Sequence, residues 1–148
     1  MDLPSCVAPS LGATSVDIQH VHDRSPAERM CFDGTPEAAR IHCLYGDSAT
    51  FDFSWLKGQV DLLFIDGAHS YEYVRNDTLH AGACCKTGSV IAWHDYGRFG
   101  FNGVMRWLHK FAREGNQIYR TPGGSLAYTK LESEVRVESG QGRIAGSR

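Results

Sequence analysis

Short apolar runs, each closed by polar residues or glycine, recur between residues 41 and 131. The clearest is VDLLFI at 60–65, which is followed directly by Asp66 and Gly67. A nearly continuous apolar run of this length is typical of a strand covered on both faces, as in a parallel sheet. Residues 41–45 and 89–93 have the same character, so the pattern predicts three such strands.

Amphipathic stretches separate and follow these runs. Residues 70–85 are mostly polar with spaced apolar positions, which predicts a helix and therefore a right-handed crossover between its two flanking strands. A second helix is predicted over 102–114, where four apolar residues have the i, i+3, i+4, i+7 spacing of one helix face: Val104, Trp107, Leu108 and Phe111.

The last patterned stretches, 117–120 and 125–131, are interpreted as two strands. The short join PGG at 122–124 makes them an antiparallel hairpin, because so few residues cannot form a crossover. The predicted architecture is therefore α/β, with three layers and a mostly parallel sheet that carries an antiparallel hairpin at its C-terminal end.

The two ends of the chain differ from this middle region. Residues 1–40 contain four of the five prolines and are expected to form an irregular N-terminal segment. Residues 132–148 are polar and rich in glycine, which predicts a disordered tail. The α/β domain is accordingly placed at 41–131.

Composition excludes several classes of protein. The chain has 148 residues, which is typical of one domain, and its formal net charge of −2 does not favour nucleic acid or an acidic membrane as a partner. Its five cysteines include no Cys-x-x-Cys pair, a usage that fits reduced thiols in the cytoplasm. Its three tryptophans stand in apolar surroundings and are expected in the core.

Candidate chemistry lies where the predicted strands end. Asp66 closes one strand, and His94 and Asp95 close the next, so the three side chains are expected to converge at one sheet edge. A bound cation would relieve the repulsion between the carboxylates, with magnesium favoured by oxygen ligands and manganese, iron or zinc also compatible with an imidazole. The alternative is that both aspartates only cap the helices that follow.

Two further residues are candidates for binding or proton transfer. His69 lies three residues after Asp66, where a neutral imidazole could accept a proton from a substrate hydroxyl. Asp47 follows Gly46 at the end of a predicted strand and could bind an amine or hydroxyl of a nucleoside. The alternatives are a helix-entry histidine and an ordinary turn aspartate.

Three motifs in order give the chain a family resemblance. LYGDSATFDF at 44–53, FIDGAHSY at 64–71 and GSVIAWHDY at 88–96 resemble segments of the class I S-adenosylmethionine-dependent methyltransferases, in particular a branch that acts on small molecules. The late segment GSLAY at 124–128 is also similar to that group. The resemblance implies a Rossmann-like fold and methyl transfer from S-adenosylmethionine to an oxygen or nitrogen of a small-molecule acceptor.

The resemblance also implies roles for individual residues. Asp66, His94 and Asp95 match the positions where metal-dependent relatives hold magnesium or another divalent ion, although His94 departs from the usual ligand set of acids and amides. His69 and Asp66 match positions at which relatives have catalytic residues. Asp47 and Ser48 match residues beside the adenine, so the implied cofactor-binding set is Asp2, Asp47, Ser48 and Asp66.

The N-terminal region departs from the family pattern. A complete member opens with a strand, a turn of the form Glu-x-Gly-x-x-x-Gly and a helix, because glycine lets the backbone approach the cofactor closely. No segment before residue 41 has this form, so the chain resembles a truncated member whose first strand and helix are missing. The ribose-binding carboxylate is then expected at Asp2, with Asp17 as the alternative.

Loss of the first strand has a structural consequence and leaves alternatives for function. The strand at 60–65 would expose an apolar edge, which predicts a homo-oligomer formed through that edge. One alternative function is a catalytically inactive remnant or interaction module that lacks the glycine loop. A metal-dependent hydrolase using Asp66, His94 and Asp95 is a further alternative.

Overall fold

The computed structural model describes residues 4–9, 14–19, 33–132 and 135. Within these ranges the chain forms seven strands, two α-helices and two short 3-10 turns, at Pro36–Arg40 and Ser54–Leu56. The helices are α1 (Tyr71–Cys84) and α2 (Asn102–Arg113). The strands are β1 (Pro4–Pro9), β2 (Thr14–Gln19), β3 (His42–Tyr45), β4 (Val60–Asp66), β5 (Cys85–Trp93), β6 (Tyr119–Arg120) and β7 (Ala127–Lys130).

All seven strands belong to one mixed sheet with the order β3-β1-β2-β4-β5-β7-β6. The central neighbours β2, β4 and β5 are parallel, and the other four neighbouring pairs are antiparallel. A mostly parallel sheet is therefore not confirmed, although the antiparallel C-terminal hairpin is present. The difference arises because β1 and β7 both run against the other strands, and each is joined to a neighbour by a short connection.

The expectation of an irregular segment over 1–40 is wrong for β1 and β2. Valines and isoleucine favour extended structure there, and Pro4 and Pro9 occupy the first and last positions of β1, where proline is compatible with a strand. In the register of β2 with β4, Ile18 lies opposite Ile65.

The edge of β4 is consequently covered within the chain. Its two neighbours are β2 and β5, so the sheet position that we expected to be missing is occupied by β2. The reason given for a homo-oligomer, an exposed β4 edge, is therefore wrong. Pattern analysis missed β2 because a single short alternation between prolines carries little signal without its partner strand.

The two helices contact each other, and α1 also packs on β4 and β5. Helix α1 begins after Ser70, whose Oγ accepts a hydrogen bond from the backbone N–H of Tyr73 at 3.3 Å. The apolar face predicted for α2 is fully buried, as its helical spacing required: Val104, Trp107, Leu108 and Phe111. Helices therefore cover one face of the sheet, whereas Leu62 on β4 is 46% exposed.

A buried threonine links the helices to the sheet. The Oγ1 of Thr78 on α1 accepts hydrogen bonds from the indole N–H of Trp93 at 3.0 Å and of Trp107 at 2.9 Å. Both tryptophans are buried, as expected, but the expectation was wrong for Trp55, which is 49% exposed. In the ranges described above, neither helix combines the length and apolar character that crossing a bilayer requires.

Candidate functional site

The parallel pairing of β4 with β5 brings two polar strand ends together. Ile65 lies opposite Trp93 in the register, and the backbone N–H of His94 donates to the carbonyl of Ile65 at 3.0 Å. Asp66 and His94 therefore lie side by side at the same edge of the sheet. The Nδ1 of His94 lies 3.2 Å from Oδ1 of Asp66, close to the arrangement that the sequence predicted.

The shortest polar contact of the site joins His69 to Asp95. The Nε2 of His69 lies 2.6 Å from Oδ2 of Asp95, and the imidazole stacks on the ring of Phe101 with 4.1 Å between centroids. The histidine is partly exposed, whereas Asp95 is buried. The imidazole is thus held on one side by a carboxylate and on one face by an aromatic ring, with part of its surface open to a ligand.

Asp95 has an unusual backbone and several hydrogen-bond partners. Its φ of 57° makes it the one non-glycine residue with positive φ among those the structure describes, and such strain is concentrated at functional sites. Arg98 donates to its Oδ1 at 3.0 Å. Burial alone would raise the pKa of Asp95, but the hydrogen bonds from His69 and Arg98 and the nearby imidazole of His94 outweigh burial and lower it.

One group of side chains that could hold a cation consists of Asp66, His69 and Asp95. One ligand atom from each lies within 4.8 Å of the other two. His94, which the sequence placed in this set, is also close: its Nδ1 lies 3.1 Å from Oδ1 of Asp95. That nitrogen is buried and lacks an aligned hydrogen-bond partner. Two carboxylates and an imidazole nitrogen without a partner are chemically suited to a divalent ion.

The start of α2 fixes the loop that carries His69. A Cβ atom on Gly103 would overlap the carbonyl oxygen of His69 and would lie 2.6 Å from the backbone nitrogen of Tyr71. Only glycine allows the two helix starts to approach this closely. The position of the imidazole therefore depends on α2 as well as on the end of β4.

A second polar cluster lies at the end of β3. Oδ1 of Asp47 accepts from the backbone N–H of Ala49 at 2.9 Å, and Oδ2 accepts from the hydroxyl of Tyr73 on α1 at 3.3 Å. The charge of Asp47 raises the pKa of Tyr73. Ser48 is buried beside it. Asp47 thus forms a turn, which was the alternative to a binding role in the sequence analysis. Its carboxylate also accepts a hydrogen bond from Tyr73 on α1.

The structure describes only part of the remaining residues that were expected to bind the cofactor. Asp2 lies outside the described residues, as does almost all of the predicted tail. Asp17, the alternative to Asp2, lies in β2 opposite Phe64 in the register. The sequence from residue 13 to residue 33 contains no glycine, so the connection that follows β2 does not carry the glycine-rich turn of a complete family member.

Sequence reasoning missed several residues of the site. Arg98 and Phe101 belong to a glycine-rich connection between β5 and α2, and Gly103 is the second residue of α2. Residue type alone gave no functional signal at these positions. Tyr73 was treated as part of an amphipathic helix, and its contact with Asp47 spans 26 residues of sequence. The signal in the sequence was the pair of glycines in this connection, Gly97 and Gly100. Both have positive φ in the structure, a conformation that favours glycine.

A family model described as a methyltransferase domain matches residues 7–96, which include β2, β3, β4, α1 and β5 together with Asp66, His69 and Asp95. No curated protein matches the chain.

Proposed function

The chain belongs to the methyltransferase-domain family, and on this premise we propose that it transfers a methyl group from S-adenosylmethionine to an oxygen or nitrogen of a small-molecule acceptor. The observation that carries the proposal is the pair formed by His69 and Asp95, which lies beside Asp66 where two parallel strands end. Ligands bind at this edge in open α/β sheets.

His69 is proposed as the general base. When its Nε2 carries the proton and donates to Asp95, its Nδ1 has a free lone pair that can accept the proton of an acceptor hydroxyl or amine. The buried carboxylate of Asp95 then stabilises the imidazolium that forms. Its lowered pKa supports this role, because the carboxylate stays ionised while the imidazole becomes charged.

The Asp47–Ser48 turn is proposed to bind the nucleoside part of the cofactor. Asp47 offers carboxylate oxygens to an amine or hydroxyl, and its contact with Tyr73 fixes the direction of the side chain. S-adenosylmethionine supplies an electrophilic methyl group when it is bound. The role of the protein is then to align the acceptor atom with that methyl group and to remove its proton.

A divalent cation is proposed as an aid to deprotonation. Asp66 and Asp95 would hold it, with Nδ1 of His94 as the third donor, because that nitrogen lies close to both carboxylates and is otherwise without an aligned partner. Such an ion would lower the pKa of a bound acceptor hydroxyl. His69 stays free to act as the base in this assignment.

A second candidate function is a methyltransferase-fold module without catalytic activity. The absence of glycine between residues 13 and 33 favours it, because the backbone after β2 then has no residue that permits the closest approach to a cofactor. In this alternative the sheet and the polar strand ends are retained while cofactor binding is lost.

Calorimetric titration of S-adenosylmethionine into the folded chain, with and without magnesium, separates the two functions. Micromolar binding is expected for the methyltransferase, followed by methyl transfer from labelled cofactor to members of a panel of hydroxylated and amino acceptors. No heat at millimolar cofactor, from protein with a cooperative unfolding transition, would overturn the catalytic proposal and leave the inactive module.

A further inference from the structure

Asp77 is a buried carboxylate that the proposed reaction does not use. It lies in the middle of α1, is 0% exposed, and shares a buried helix face with Val74, Thr78 and Ala81. Neither of its carboxylate oxygens has a hydrogen-bond partner in the described part of the chain. Because a buried polar group without partners is destabilising, its presence at a core position requires a reason.

The groups that act on Asp77 belong to the Asp47–Ser48 turn. Burial raises the pKa of Asp77 to about 6, the hydroxyl of Ser48 opposes this rise, and the negative charge of Asp47 adds to it. Ser48 is itself only 2% exposed, and its Oγ also lacks a hydrogen-bond partner. Ser48 in the turn and Asp77 on α1 are thus both buried polar side chains without an aligned hydrogen-bond partner.

Helix α1 meets this turn at two positions one helical turn apart. Tyr73 donates its hydroxyl to Oδ2 of Asp47 at 3.3 Å, and Asp77 follows four residues later on the same side of the helix. Asp47 and Ser48 are neighbours in the chain, so Tyr73 binds one residue of the turn while Asp77 lies on the same side of the helix as that contact. The orientation of the turn is consequently set from α1.

We propose that Asp77 is a positioning residue that holds the Asp47–Ser48 turn, through the hydroxyl of Ser48, in the orientation that binds the nucleoside of the cofactor. The inference rests on the proposed function, because it assigns the turn to nucleoside binding. Asp77 touches neither cofactor nor acceptor in this role. Closing of the Ser48–Asp77 hydrogen bond accompanies binding and satisfies both buried groups.

A purely structural role explains the residue poorly. The other buried positions on this face of α1 are apolar or, in the case of Thr78, fully hydrogen-bonded. An uncharged side chain at position 77 would avoid the penalty of a buried charge. Residues that lower stability while serving a ligand are typical of binding sites.

The test measures binding of S-adenosylhomocysteine by calorimetry to the full chain and to four variants: Asp77→Ala, Asp77→Asn, Ser48→Ala and the Asp77→Ala/Ser48→Ala double variant. Each alanine variant is expected to raise the Kd about tenfold, as expected for loss of a hydrogen bond to a charged group. The asparagine variant retains an oxygen acceptor and is expected to raise the Kd by only about threefold. The double variant is expected to match the single alanine variants, because both changes remove the same contact.

Ser89→Ala provides the matched control. Ser89 is buried and donates to the carbonyl of Val60 at 2.6 Å, at the opposite end of the central strands from the site. This variant is expected to lose stability without a change in Kd. Alanine variants at 77 and 48 that bind within about twofold of the wild type, or effects that add fully in the double variant, would overturn the positioning role.

Hydrogen exchange separates failure of this inference from failure of the proposed function. In the chain saturated with S-adenosylhomocysteine, Asp77→Ala is expected to accelerate amide exchange in residues 46–51 and to leave exchange in α2 unchanged. Equal exchange of 46–51 in wild type and variant would overturn the positioning. A wild-type chain that binds no S-adenosylhomocysteine would instead overturn the proposed function.

Discussion

His69 and Asp95 are separated by 26 residues of sequence, yet Nε2 of the histidine lies 2.6 Å from Oδ2 of the aspartate. The contact forms because β4 and β5 are parallel neighbours and because the loops that follow them leave the same sheet edge. The buried carboxylate selects one tautomer and one orientation of the imidazole. This pairing is the geometric basis for the predicted general base.

Replacement of His69 by alanine is expected to lower kcat by about 10²–10⁴-fold and to leave the Kd for S-adenosylmethionine within about twofold of the wild type. The reason is that the variant removes the proton acceptor and leaves the Asp47–Ser48 turn intact. Steady-state kinetics with added imidazole is the measurement, and partial recovery of kcat is expected. His109→Ala is the control, since His109 is an exposed histidine on α2. If His69→Ala kept wild-type kcat, the assignment of the base would be wrong.

Replacement of Gly103 by alanine is expected to destabilise the fold by about 1–3 kcal/mol, the usual range for overpacking, and also to lower kcat. The added methyl group would meet backbone atoms of residues 69–71, which cannot rotate away. Urea unfolding and kinetics on the same preparations measure both effects. Asn102→Ala, at the exposed neighbouring position, should change neither. A Gly103→Ala variant with wild-type stability would contradict the close packing of the helix starts.

Replacement of Thr78 by valine is expected to cost about 2–5 kcal/mol of unfolding free energy, because it leaves two buried indole N–H groups without an acceptor. The two side chains are nearly equal in volume, so packing changes little. Urea unfolding followed by tryptophan fluorescence measures the loss. The control is Thr129→Val, which removes a single hydrogen bond to the carbonyl of Gln117. Equal losses in the two variants would argue against the shared acceptor.

The pH dependence of stability should identify Asp77. Burial raises its pKa from 3.8 to about 6 in the folded state, so the folded chain binds the proton more tightly than the unfolded chain. The contribution of Asp77 is therefore most favourable below the unfolded pKa and is lost as the pH rises through about 6.

Asparagine at position 77 does not titrate, so it removes this loss. Relative to the wild type, the unfolding free energy of Asp77→Asn is expected to rise by about 1.5 kcal/mol between about pH 5 and about pH 8. Urea unfolding at both pH values measures the difference, and other titrating groups cancel because both chains contain them. A difference that is independent of pH would show that Asp77 has an ordinary pKa.

Addition of millimolar magnesium or manganese is expected to raise Tm by several degrees, since an ion that binds only the folded chain stabilises it by mass action, about 2.7 kcal/mol at a hundredfold excess over Kd. Chelation should reverse the shift, and Asp66→Asn should abolish it. Asp61→Asn is the control on the same strand, because Asp61 pairs with Lys86 at 2.7 Å away from the site. A shift that survives in Asp66→Asn would place the ion elsewhere.

The sequence by itself determined the elements of the middle region. The apolar run at 60–65, the spacing along α2 and the short PGG join each specify a local structure, because strand and helix periodicities and turn chemistry depend on neighbouring residues. The placement of Asp66, His94 and Asp95 at one sheet edge followed from strand ends alone. The match to a methyltransferase-domain model agrees with the family that the motifs indicated.

The tertiary structure decided the rest. Residues of β2 become recognisable as a strand when Val16 and Ile18 lie opposite Leu63 and Ile65 of β4, a pairing across more than forty residues that no local pattern encodes. The contacts of His69 with Asp95 and of Asp47 with Tyr73 likewise depend on strand order and on the close approach at Gly103. Local propensity thus predicts the helices and strands of the middle region, whereas long-range pairing decides that β2 is a strand and which side chains meet.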